Sequence, residues 1–241
     1  MSRKTRPFRF KQFEIYHDEC AMKVGTDGVL VGAWANIKGA NYILDIGTGT
    51  GLIAIMAAQK NKTATIDAID IDDSAIHQAT KNINNSPWKN RIHLYKQSLQ
   101  NFISEENKLK YDLIISNPPY FNSGSEAPQK KRQIARHTET LSHIELAKGI
   151  AYLLAPTGKC AVILPYQEGL LFQKMMSQFD LHLSKLMKVQ SKKDKPIERL
   201  LLEFQRKSTH TEETHLIIQH DDRNDWTTDY IQLTKAFYLH M

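Results

Sequence analysis

Cysteine is scarce in this chain, which carries only Cys20 and Cys160. Two thiols build no disulfide framework, and disulfides are rare in a reducing compartment. Long apolar runs are missing too. No stretch approaches the roughly 18 residues a membrane span requires. The basic start, MSRKTRPFRFKQF, lacks the apolar core of a secretory signal. The early Asp18 and Glu19, together with the phenylalanines, also argue against a transit peptide. The expectation is a cytoplasmic protein, in which the sequons at Asn61 and Asn84 have no meaning. Repeats, low-complexity tracts and obvious linkers are absent. The ten histidines show no ligand spacing, and His137 and His143 in HTETLSH do not supply one, so no metal is expected.

What is present suits one good hydrophobic core: 241 residues, 41% hydrophobic and 24% charged. Lysine and arginine number 32 against 26 acidic residues, a formal charge of +6. That modest excess is compatible with a nucleic-acid partner, and its distribution says more than its size. Arg3, Lys4, Arg6, Arg9 and Lys11 interleave with Phe8, Phe10 and Phe13. Lys130, Lys131 and Arg132 form a second run, and Lys188, Lys192, Lys193 and Lys195 a third.

Strand-like apolar runs alternate with helical or loop segments. They are YILDIG (42–47), TIDAIDI (65–71), RIHLYKQ (91–97), YDLIIS (111–116) and KCAVILP (159–165), with helices expected near 142–154 and 166–179. This alternation predicts an α/β fold with a largely parallel sheet. LSKLMKVQ (183–190) and IERLLLEFQ (197–205) are too close for a crossover helix, so they are expected to pair as an antiparallel hairpin. The segment after Ser208 is more polar. It is expected to end in a helix with Trp226, Tyr230, Leu233 and Phe237 on one face.

LDIGTGTG (44–51) follows the first strong strand and opens a helix. Such a turn brings backbone N–H groups and a helix N-terminus to a ligand. Gly47 and Gly49 fit the first two positions of the dinucleotide fingerprint, but Leu52 occupies the third. The observed pattern, Asp45 followed by Gly47, Gly49 and Gly51, resembles the cofactor loop of class I S-adenosylmethionine-dependent methyltransferases. The resemblance implies that Asp45 meets the amino group of the methionine part. Asp70 lies about twenty residues past the glycines, the distance at which an acid holds ribose hydroxyls. Asp72 is a near alternative, more suited with Asp73 to capping the next helix. Methyltransferases of this class often carry aspartate at the end of the third strand; this chain has Ser98. The adenine contact then falls to the Ser98 hydroxyl, the Leu99 backbone or another group.

SNPPYF (116–121) ends the fourth parallel strand. Asn117 offers an amide acceptor and donor. Pro118 restricts Asn117, Pro119 restricts Pro118, and the Pro118 carbonyl remains as an acceptor. Tyr120 presents a flat face. This set suits a planar substrate whose amine is conjugated and therefore a poor nucleophile. Accepting its two N–H bonds on Asn117 Oδ1 and the Pro118 carbonyl localises electron density on nitrogen, so catalysis is mainly positioning and electrostatics. The motif resembles the N-P-P-[YF] signature of amino-methyltransferases.

FRFKQFEIYHDECAMKVGTDGVLVGAWA, NPPYF and the terminal RNDWTTDY…AFYL together resemble the bacterial tRNA adenine-N6 methyltransferases that act beside the anticodon of valine tRNA. The resemblance covers nearly the whole chain. It implies a Rossmann-like class I methyltransferase fold: a mostly parallel seven-stranded sheet, a C-terminal antiparallel hairpin and helices on both faces. It implies one domain over 1–241. Residues 1–40 would cover the cofactor, 41–207 form the core, and 208–241 form an extension with a helix. Lys23, Gly25, Thr26 and Asp27 are then expected near the methionine end of S-adenosylmethionine. A flipped adenine would stack on Tyr120 and Phe121. NSGSEAPQKKRQIARH (122–137) would rim the pocket, with Lys130, Lys131, Arg132 and Arg136 near phosphates. Arg3, Lys4, Arg6 and Arg9 would add an N-terminal phosphate contact. tRNA is the expected partner, and the monomer the favoured state.

Three rivals share parts of this pattern. A glutamine-N5 methyltransferase acting on a release factor also suits Asn-Pro-Pro-Tyr, but is expected to carry a sizeable helical domain where this chain has the basic, aromatic segment 1–40. A DNA adenine methyltransferase is expected to carry a substantial target-recognition region. A non-catalytic RNA-binding protein on the same fold needs neither an intact glycine turn nor Asn117, and both are intact here.

Overall fold

The computed structural model describes residues 6–20, 23–104, 110–119, 141–222 and 224–241. A short antiparallel hairpin comes first, β1 (Phe8–Arg9) against β2 (Glu14–Ile15). Helix α1 (Thr26–Trp34), β3 (Tyr42–Ile46), α2 (Leu52–Lys60), β4 (Thr65–Asp70) and α3 (Asp73–Asn84) follow. After a 3-10 turn (Lys89–Arg91) come β5 (Ile92–Lys96), α4 (Leu99–Ser104) and β6 (Tyr111–Ser116). Next are α5 (His143–Leu153), β7 (Leu154–Pro165), α6 (Tyr166–Ser177), β8 (His182–Gln190) and β9 (Arg199–Gln205). β10 (Glu212–Ile217) and α7 (Thr228–Thr234) close the order among the described residues.

Strands β3 to β10 form one sheet in the order β10-β8-β9-β7-β6-β3-β4-β5. All neighbours pair in parallel except β9, which runs against both β7 and β8. The chain steps outward from β3 to β4 and β5, then returns to lay β6 on the other side of β3. The order therefore reverses between β3 and β6, where open α/β sheets bind ligands at the carboxyl ends of the strands.

The expected hairpin is present as β8–β9, with β9 inserted between β7 and β8. The sheet has eight strands where seven were expected. The extra one, β10, pairs in parallel with β8 at the edge, and only Leu216 of its six residues is buried. A polar edge strand lacks the apolar run by which the central strands are recognised. The terminal helix is also shorter than expected. Trp226 precedes it in a bridge to Gln219, and Thr227 caps it by accepting the Tyr230 N–H at 3.3 Å.

Successive residues of the central strands serve two cores. Ile43, Ile115 and Ile163 pack with α1 and α2 on one face; Leu44, Ile114 and Val162 pack with α5 and α6 on the other. This period of two explains why the buried strands read as unbroken apolar runs. Helix starts are fixed locally. Asp72 caps α3, accepting the Ala75 N–H at 2.8 Å. Ser142 and Glu145 close a capping box on α5, with the Ser142 N–H donated to Glu145 at 2.8 Å and the Glu145 N–H to Ser142 at 3.3 Å.

The β6–β7 register slips between Tyr111 and Leu113, and Gly158 lies in the irregularity. A Cβ on Gly158 would sit 2.6 Å from the Tyr111 carbonyl oxygen and 3.1 Å from the Ala155 nitrogen, both backbone atoms. Gly158→Ala is expected to destabilise the protein by about 1–3 kcal/mol. The check is a urea titration with a lower midpoint and an unchanged slope.

Candidate active site

The carboxyl end of β3 becomes the glycine turn. Gly47, Gly49 and Gly51 have φ of +72°, +55° and +80°, a left-handed region that side chains rarely adopt. The open space beside Gly47 and Gly49 lets backbone approach a ligand, since a Cβ at either would have nothing within 4 Å. Gly51 caps α2 and packs against α3.

Two carboxylates at neighbouring strand ends hold this turn. Asp45 is fully buried; its Oδ2 accepts the Thr48 hydroxyl at 2.6 Å and the Ala54 N–H at 3.1 Å. Its Oδ1 is buried and has no hydrogen-bond partner among the described residues. Burial pushes the Asp45 carboxyl up to about 7, against the pull of the Thr48 and Ala54 hydrogen bonds. Asp70 Oδ2 accepts the Gly49 N–H at 2.8 Å, and Oδ1 accepts the Asp72 N–H at 3.0 Å. Burial raises the Asp70 carboxyl as well, opposed by these backbone bonds. Asp72 lies below the usual carboxylate range because the Ser74 hydroxyl and Ala75 N–H bind it, which leaves Asp70 as the strand-end acid facing the turn.

A cavity of about 580 Å³ opens over the turn. The structure brings Lys23, Thr26, Gly47, Gly49 and Asn117 together on its walls. Asp45 and Pro118 are buried and do not line it. Asp70, Ser98 and Leu99 sit further along the same edge, where Gln97 N–H donates to the Asp70 carbonyl at 3.0 Å. Ser98 is the first turn's acceptor for α4, its Oγ taking the Asn101 N–H at 3.1 Å. Leu99 is buried and Ser98 is half-buried.

Arg9 is engaged with Glu14 at 2.9 Å in the β1–β2 hairpin, Arg6 is exposed, and neither lines the cavity. Tyr120, Phe121, Lys130, Lys131, Arg132, Arg136, Arg3 and Lys4 lie outside the described residues.

Asp27, expected near the methionine end, is on the cavity wall, whereas several other lining residues gave no local signal in the sequence. Asp27, in the first turn of α1, accepts from Arg199 Nε at 2.9 Å, joining the cavity's front wall to the start of β9. Glu198, Gln219 and Trp226 also line the cavity, brought there by the β8–β9 turn and the chain after β10. Ile71, 41% exposed directly after Asp70, does not line the cavity but offers an apolar surface beside that acid.

The match to the methyltransferase small domain spans residues 25–143, from the cavity wall through the glycine turn to Asn117 and beyond. The tRNA1(Val) (adenine(37)-N6)-methyltransferase of Bacteroides fragilis is 43% identical over 234 residues, 97% of this chain and 98% of that protein. The Vibrio campbellii protein of the same name is 44% identical over 238 residues, 99% of this chain and 98% of its own length. The chain belongs to this family. Solved methyltransferases share the fold at much lower identity. A predicted O-methyltransferase from Agrobacterium tumefaciens superposes with a TM-score of 0.66 at 14% identity, covering 87% of this chain and 96% of that one. A methyltransferase from Pyrococcus furiosus gives 0.57 at 22% identity, covering 81% and 90%. The Rossmann-like class I architecture expected from the sequence is the one observed.

Among the described residues no group of three or more His, Cys, Asp or Glu side chains is arranged to hold a metal, and no helix is long and apolar enough to cross a membrane.

Removing the Asp70 carboxylate leaves the Gly49 N–H without its acceptor. Asp70→Ala is expected to cost about 1–3 kcal/mol. Asp70→Asn, which keeps an acceptor oxygen, is expected to lose less. Denaturation midpoints of the two variants measured without ligand check this.

Proposed function

We propose that this chain is an S-adenosylmethionine-dependent methyltransferase acting on the exocyclic N6 amine of adenine 37, beside the anticodon of tRNA1(Val). The observation that carries the reading is Asn117. In a chain 43–44% identical to enzymes of that name along nearly their whole length, this asparagine lines the same cavity as the glycine turn.

The residues present fit the cofactor. Asp45 Oδ1, buried and without a partner among the described residues, is an acceptor suited to an ammonium group. Asp70, at the neighbouring strand end, would take ribose hydroxyls, and the exposed Ile71 an apolar ring face. Ser98 and the Leu99 backbone take the adenine edge of the cofactor. Lys23 and Thr26 bound its methionine end. When bound, S-adenosylmethionine supplies an electrophilic sulfonium methyl group.

The chain's own groups make the amine reactive. Asn117 Oδ1 and the Pro118 carbonyl accept its two N–H bonds, withdrawing it from conjugation with the ring and aiming its lone pair. The two prolines fix both acceptors before substrate arrives, so little entropy is lost at the reacting centre. The amine gains the methyl group and becomes acidic only then, so its proton passes to solvent without a dedicated base. Tyr120 and Phe121 stack the flipped adenine. Lys130, Lys131, Arg132 and Arg136, with Arg3, Lys4, Arg6 and Arg9, meet phosphates. On this reading residues 1–241 act as one catalytic domain, with 1–40 over the cofactor, as a monomer in the cytoplasm.

The experiment supplies labelled S-adenosylmethionine with total tRNA, with DNA and with release factor in separate reactions. Label is expected in tRNA, released as N6-methyladenosine; label confined to release factor or DNA contradicts the reading. Asn117→Ala is expected to lower transfer by about 10²-fold or more, with cofactor affinity nearly unchanged. Undiminished transfer by that variant would overturn the mechanism.

A further inference from the structure

Helix α3 carries two amide side chains on the face it buries. Gln78 is 0% exposed and Asn82 1%, among apolar neighbours Ala75, Ala79 and Ile83. Buried amides persist where their hydrogen bonds are satisfied by something specific. Asn82 uses its acceptor and both donors. Its Oδ1 accepts the Tyr16 N–H at 2.9 Å, and its Nδ2 donates to the Tyr16 carbonyl at 2.8 Å and to the Thr50 carbonyl at 2.8 Å. Toward Tyr16 the side chain acts as a strand partner would, exchanging both backbone bonds of one residue. Toward Thr50 it grips the glycine turn between Gly49 and Gly51.

Gln78, one turn earlier on the same face, accepts the Glu19 N–H at 3.0 Å. Its Nε2 is buried and has no hydrogen-bond partner among the described residues. The segment held at Tyr16 and Glu19 runs on to Lys23–Gly28, which line the cavity over the turn. At the far end of that segment, Asp27 is tied to Arg199. Exposed contacts add little to this grip: Lys81 lies 3.8 Å from Glu19 and 4.7 Å from the centre of the Tyr16 ring.

We propose that Asn82 and Gln78 are positioning residues: Gln78 fixes Glu19 to α3 and Asn82 ties Tyr16 to the glycine turn, so that residues 16–20, which lead along the chain to the cavity wall at 23–28, and the turn move as one. Neither touches reacting atoms. Asn82 sets the distance between the Tyr16 backbone and the Thr50 carbonyl through a single planar amide, which neither a shorter nor an apolar side chain reproduces. The inference rests on the proposed cofactor site but not on the identity of the methyl acceptor.

The test uses the full chain and hydrogen exchange with mass spectrometry, together with calorimetric titration of S-adenosylmethionine. In the wild type, cofactor is expected to protect peptides from 13–20 and from 47–54 together. In Asn82→Ala it is expected to protect 47–54 alone, with affinity about tenfold weaker, the scale of coupling through such a network. Turnover at saturating cofactor is expected to stay near the wild-type value. Ile150→Val, a core change on the opposite face of the sheet, controls for general loss of stability and is expected to leave the joint protection intact. Gln78→Leu keeps the volume on α3 and removes the Glu19 acceptor; it carries the same expectation if Asn82→Ala does not fold. Unchanged affinity with both peptides still protected in these variants would overturn the proposal while leaving the function standing. Failure of the wild type to bind cofactor would overturn both.

Discussion

A carboxylate held out of water at the end of β3 organises the site. With one oxygen, Asp45 binds the Thr48 hydroxyl inside the glycine turn and the Ala54 N–H in the first turn of α2. Strand, turn and helix are thereby locked to one point. The Gly47 and Thr48 N–H groups reach the Ile69 carbonyl of β4, and the Gly49 N–H reaches Asp70, so the turn is anchored to two strands at once. The other Asp45 oxygen finds no hydrogen-bond partner among the described residues. Burying a carboxylate with half its capacity unused is costly, and the rise of Asp45 to about 7 expresses that cost. A cation delivered to that oxygen removes it.

The sheet puts the chemistry beside this anchor. β6 pairs in parallel with β3, aligning Ser116 with Ile46, so Asn117 leaves its strand next to the start of the glycine turn. Parallel strands bring like ends together, and a motif at the end of β6 therefore faces a turn at the end of β3 even though helices and two further strands separate them in sequence. β8 and β10 are parallel to β3 as well, so the β8–β9 turn and Ile218, Gln219 and Trp226 arrive at the same edge and line the cavity.

What could be read from the sequence was short-range or repetitive. The glycine spacing, the acid about twenty residues later, the Asn-Pro-Pro stretch, the Asp72 cap and the β8–β9 hairpin all depend on neighbours in the chain or on apolar runs. What could not be read depends on distant partners. Asp27 and Arg199 meet across 172 positions. Asn82 and Gln78 look like surface residues on an amphipathic helix, and only the arrival of Tyr16 and Glu19, 66 and 59 positions away, explains their burial. β10 was missed because an edge strand with a polar sequence carries no burial signal. Ser98 spends one lone pair capping α4, so its hydroxyl hydrogen and a second lone pair are what it has to offer a ligand.

On the proposed reading, the unsatisfied Asp45 oxygen would receive the ammonium group of S-adenosylmethionine. Above its ordinary value because it is buried, the free-protein carboxyl is largely protonated below pH 7; a cation at Oδ1 favours the ionised form and must lower it. A carbon-13 titration of the Asp45 carboxyl, followed with and without S-adenosylmethionine, measures this directly. A midpoint near 7 is expected in the free protein, falling by at least about one unit in the complex. A midpoint unmoved by a saturating cofactor would contradict it.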